Sequence, residues 1–118
     1  YLLDNNLIKN STEINNLFDV LINETKLETE IKNLIIYKKA LYNSELINEN
    51  ELIKMLNPII NSESIWNSHA LYLVAEYFYA KKENQKAKEF FKKILLLPNA
   101  NKEIEVETRK RINRDFGE

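Results

Sequence analysis

His69 and Glu76 stand two helical turns apart, and an imidazole facing a carboxylate is the arrangement in this chain that could pass protons. Acid–base catalysis or metal binding would ask for more: a nucleophile, or further His, Cys or carboxylate ligands converging on the same spot. The 118 residues hold one His and no Cys, and the single Gly, Gly117, cannot build a phosphate-cradling loop. The expectation is therefore a non-enzymatic chain with no catalytic residue, no metal site and no cofactor. His69 then reads as a structural or surface-lining side chain. The absence of Cys also leaves the redox compartment open.

Phosphate attraction is the other chemistry the residue types suggest. Lys81, Lys82, Lys86, Lys88, Lys92 and Lys93 cluster, and Arg109, Lys110, Arg111 and Arg114 follow. Nucleic acid or anionic lipid head groups would favour such a run. Glu83, Glu89, Glu105, Glu107 and Asp115 are interleaved with it, however, and Lys on the outside of a helix is ordinarily a solvated face. Nucleic acid is not the expected partner. Residues 1–80 carry 6 Lys/Arg against 11 Asp/Glu, and residues 81–118 carry 11 against 7, so the chain is dipolar. That can steer an encounter without specifying what is met.

These side chains must be positioned by helices. One Gly and two Pro in a chain that is 44% hydrophobic and 30% charged suit helices better than tight turns and bulges. Apolar residues recur at helical spacing: Ile14, Leu17, Phe18 and Leu21; Leu52, Ile53, Leu56 and Ile59; Leu71, Val74, Ala75 and Phe78; Ala87, Phe90, Phe91 and Ile94. Helix-start chemistry falls between the segments at Ser11-Thr12, Asn48, Ser62, Ser64, Asn84 and Asn101. Pro58 and Pro98 fall late in their segments, as a kink or a stop. The spacing predicts helices near 12–24, 27–45, 49–60, 64–82, 84–97 and 101–115, joined by short connections that favour antiparallel neighbours. No stretch approaches the roughly 20 apolar residues a membrane-spanning helix needs.

A shift of 35 residues superimposes the pattern on itself: Ala40 falls on Ala75, Leu52 on Ala87, Leu56 on Phe91 and Ile59 on Ile94. The same shift places Leu17 on Leu52 and Leu21 on Leu56. The best copy, ALYLVAEYFYAKKENQKAKEFFKKILLLPN from Ala70 to Asn99, resembles a tetratricopeptide repeat. Leu71, Val74-Ala75, Phe78, Ala87 and Phe91 occupy that family's apolar, small and aromatic positions, and Pro98 lies within one residue of its terminal proline. Small residues at Ala75 and Ala87 let two backbones approach, with aromatic rings beside the crossing. Residues 27–62 are a degenerate copy, in which Lys39 replaces an expected Leu and Leu56 an aromatic.

The resemblance implies an all-α, tetratricopeptide-like α-solenoid of antiparallel helix hairpins forming one domain. Residues 1–26 would be a truncated first pair, 27–62 a second, 63–98 a third and 99–118 a capping helix. It also implies that the inner face of the leading helices lines a peptide groove, made here of Leu34, Tyr37, Lys38, Leu41, His69, Tyr72, Glu76 and Tyr79. Tyr37 and Tyr72 share one repeat position and would either hold a peptide or pack between hairpins. The Lys/Asn clamp with which some members hold a terminal carboxylate is missing, its places being taken by Tyr, Leu and Glu. Trp66, at the head of the third leading helix, is expected to pack.

With its Leu-rich helix ending at a late Pro (Ala40 to Ile60), the run WNSHALYLVAEYFYAKKENQKAKEFFKKIL and the charged IEVETRKRIN, the whole chain also looks like the exported domain of a bacterial family related to the ancillary subunit of the SecYEG translocon. That likeness implies a periplasmic location on the inner membrane, reached through an upstream anchor, although the residues leave a cytoplasmic one open. It implies as partners a protein or peptide, such as translocon subunits or exported chains. The expected function is a non-catalytic protein-binding module. The alternative is a self-association domain without a client, and apolar Leu2, Leu3, Leu7 and Ile8 would drive dimerisation of the fragment.

Overall fold

In a computed structural model, residues 14–19 and 28–117 are described. The expectations resting on Leu2, Leu3, Leu7, Ile8, Ser11-Thr12 and Leu21 lie outside them. Residues 14–19 are helical (α1), followed by α2 (Thr29–Asn43), α3 (Glu49–Ile60), α4 (Asn67–Ala80), α5 (Asn84–Leu95) and α6 (Lys102–Phe116). The chain is all-helical, with no strand among the described residues.

Local chemistry explains most of the boundaries. Asn48 closes a capping box: its Oδ1 accepts from Glu51 N–H at 2.9 Å, and Glu51 Oε1 accepts from Asn48 N–H at 3.4 Å. Asn101 Oδ1 accepts from Ile104 N–H at 3.0 Å and starts α6. Pro58 is accommodated within the last turn of α3, and α5 ends at Leu95, ahead of Pro98. Two predicted starts differ. Ser62 and Ser64 do not cap α4; they form the turn before it, with Trp66 N–H donating to Ser64 Oγ at 3.1 Å. Asn67 Nδ2 then reaches back to Ile60 O and Ser62 O, at 3.0 and 2.6 Å, so helix begins at 67 rather than 64. At α5 the N-cap is Glu83, not Asn84, and it makes no side-chain cap bond.

From α2 onward each helix packs on the next, and α4 also touches both α2 and α6. Nine residues of α4 are buried, from Asn67 to Phe78, which makes it the central element. The offset of 35 residues reappears in the core. Ala40 and Ala75, Leu52 and Ala87, Leu56 and Phe91, and Ile59 and Ile94 are all 0% exposed. Helices α3 and α5, of 12 residues each, begin 35 positions apart, as do α4 and α6. The offset fails at its N-terminal extension, because Leu17 is 50% exposed where Leu52 is fully buried. There α1 keeps Ile14 buried and sets Phe18 6.4 Å from Tyr42 of α2, and polar groups add to the contact. Asn15 and Asn43 exchange amide hydrogen bonds at 2.7 and 3.0 Å, and Asp19 pairs with Lys39. The departure of Lys39 from the repeat pattern thus ties α2 to α1.

Candidate functional site: the face of the leading helices

The eight residues of the expected groove separate into three settings. The first is an aromatic cluster between α2 and α4. Tyr37 lies nearly parallel to Trp66, with ring centroids 6.5 Å apart at 15°, and meets the edge of His69 at 5.8 Å; Trp66 and His69 are 4.9 Å apart. Burial raises the Tyr37 phenol above its ordinary pKa, helped by the nearby Glu76 carboxylate. Burial also lowers the His69 imidazole, whose Nδ1 is enclosed with no hydrogen-bond partner. Neutral His69 here is a packing group.

The second setting lies between α4 and α6 and is organised by Arg111, which the sequence reading did not place at the site. Its Nη1 donates to Tyr72 Oη and Glu76 Oε2, both at 3.2 Å, and its Nε donates to Asp115 Oδ2 at 2.7 Å. The guanidinium carbon sits 5.0 Å from the ring centroids of both Tyr79 and Phe91. Burial would lower the Arg111 pKa, but the bonds it donates to Asp115 and Tyr72 outweigh it and the net shift is upward. Asp115 is held down to about 2, first by Arg114 and then by Arg111. Glu76 therefore faces Arg111, not His69, and the proton-passing pair suggested by spacing does not form. Arg111 stands 35 residues after Glu76, so the repeat offset was the signal that could have found it.

The third setting is an open cleft of about 390 Å³ between the C-terminal halves of α2 and α4. Leu41 and Glu76 line it, with Ser44, Glu45, Leu73, Tyr77, Ala80 and Lys81. Leu34, half-buried, and Lys38, exposed, make no hydrogen bond or ring contact with the other six. Tyr37 and Tyr72, equivalent by sequence, thus differ in role: Tyr72 packs on Phe91 at 5.4 Å beneath Arg111, and Tyr37 stacks on the lead-in to α4.

The chain matches no family model, no curated protein and no solved structure. What it can do must be read from its own groups. Among the described residues no group of three or more His, Asp or Glu side chains could hold a metal, and no helix is long and apolar enough to cross a membrane. Several lysines of the basic run are engaged. Lys86 pairs with Glu49 at 2.9 Å and Glu83 at 3.4 Å, Lys81 lies over Tyr77, and Lys93 lies over Phe90.

Proposed function

We propose that the chain is a tetratricopeptide-like stack of helix hairpins that binds an extended protein segment along the face of α2 and α4 and performs no catalysis. The observation that carries this reading is the common 35-residue register of buried positions and helix starts. Repetition of that kind lines up the leading helices and turns equivalent positions toward one side. On that side Leu41 is 48% exposed, Tyr79 is 37% exposed, and Tyr37, Trp66 and His69 are half-buried. Such groups offer apolar area with polar tips at low entropic cost, as peptide-binding surfaces do. By the likeness noted in the sequence, the module would serve an inner-membrane-anchored protein in export or envelope assembly, meeting translocon subunits or exported chains.

Panning a random peptide display library against the protein tests this. Enriched peptides should bind the double variant Tyr37→Ala/Leu41→Ser at least about ten-fold more weakly, a loss of about 1.4 kcal/mol. Its helicity by circular dichroism should be unchanged. No enrichment, or equal binding to the variant, overturns the reading. Concentration-dependent oligomers without any peptide binding would put self-association in its place.

A further inference from the structure

Leu41, Leu73 and Tyr77 give the cleft between α2 and α4 apolar walls, and Glu45 and Glu76 bring two carboxylates to its lining. Glu45 is exposed and has no hydrogen bond or ion pair with a described residue. The Glu76 side chain is 49% exposed although its Oε2 accepts from Arg111. Arg111 is held more closely by Asp115, at 2.7 against 3.2 Å, so Glu76 is not its main counter-charge. The lining's cation, Lys81, stands with its ammonium 5.4 Å from the Tyr77 ring centroid and pairs with neither carboxylate.

An apolar trough with an acidic rim suits a long aliphatic chain that ends in a cation. Its methylenes lie along leucine walls while its head group donates charge-assisted hydrogen bonds to the carboxylates. Resting on the peptide-binding reading, we propose that this cleft selects a lysine or arginine side chain of the bound segment, so the partner is a basic stretch of protein. The preference is opposite in sign to that of a clamp for a terminal carboxylate.

Fluorescence anisotropy with labelled peptides in which Leu alternates with Lys, Gln or Glu tests the assignment. The Lys peptide should bind at least about ten-fold tighter than the Gln peptide at low salt, and the advantage should shrink as salt screens it. Glu45→Gln should remove much of that advantage by weakening binding of the Lys peptide. Glu45 is exposed and unbonded, so this substitution leaves the fold alone; Glu45→Gln/Glu76→Gln should abolish the advantage. Equal binding of the Lys and Gln peptides, or tighter binding of the Glu peptide, overturns charge selection and leaves peptide binding standing. Binding of none of the three overturns peptide binding as well.

Discussion

Buried polar atoms divide this molecule into satisfied and unsatisfied places. Arg111 has a carboxylate, a phenol and a second carboxylate around it, so its burial is compensated. Thr108, one turn earlier on α6, is 0% exposed, and its Oγ1 has no partner. An unpaired buried hydroxyl costs about 1–3 kcal/mol, whereas Val fills nearly the same volume and has a similar helix propensity. Thr108→Val should therefore raise stability by about 1 kcal/mol, read as a higher urea midpoint at constant slope. An unchanged or lowered midpoint would mean that the hydroxyl is satisfied in solution. The sequence disclosed which residue types occupy this region but not how they pair. His69 and Glu76 share a helix, yet Glu76 turns to Arg111, because that pairing depends on α6 lying beside α4.

Among the helices, the end of α4 contains the one described non-glycine residue with positive φ, Lys82 at 63°. The backbone there forms a Schellman motif: Glu83 N–H donates to Phe78 O at 2.9 Å and Lys82 N–H donates to Tyr79 O at 3.0 Å. A side chain in that left-handed position costs about 1 kcal/mol. Lys82→Gly should relieve it and raise the melting temperature by several degrees, with helicity unchanged; a lower melting temperature would count against the assigned strain. Caps at Asn48 and Asn101 were legible in the sequence because their partners lie three residues away. The start of α4 was not, because Glu30 fixes its lead-in from another helix, accepting from Ser64 Oγ at 2.6 Å and Ile65 N–H at 2.8 Å. The sequence also foreshadowed the polar character of α6. Val106, Arg109, Lys110 and Asn113 hold the places of Leu71, Val74, Ala75 and Phe78, and all four are exposed. That face is not built to receive a helix as α4 receives α5.

Taken as a whole, the molecule depends on polar ties that converge on α4 from three sides. Glu30 holds its lead-in to α2, Tyr77 Oη donates to Ile47 O at 3.0 Å in the α2–α3 connection, and Arg111, braced within α6 by Asp115, fastens α6 by donating to Tyr72 and Glu76. The acid limit of stability follows from the carboxylates in this set. Glu30 is lowered, first by its bond from Ser64 and then by that from Ile65, and Asp115 is lowered from 3.8 to about 2. A carboxylate with a depressed folded-state pKa contributes its stability in full above its unfolded value and loses it as pH falls through the folded one. The urea midpoint should therefore fall as pH drops from about 5 to about 2. His69, lowered by burial, adds a loss of the same sign that begins nearer pH 6.5, because the unfolded chain takes up that proton first. Glu30→Gln and Asp115→Asn should each lower the midpoint at neutral pH and flatten its decline below about pH 4, since neither variant has that proton left to bind. If both variants declined as steeply as the parent, the acid sensitivity would lie in other groups and α4 would not be the element that protonation releases.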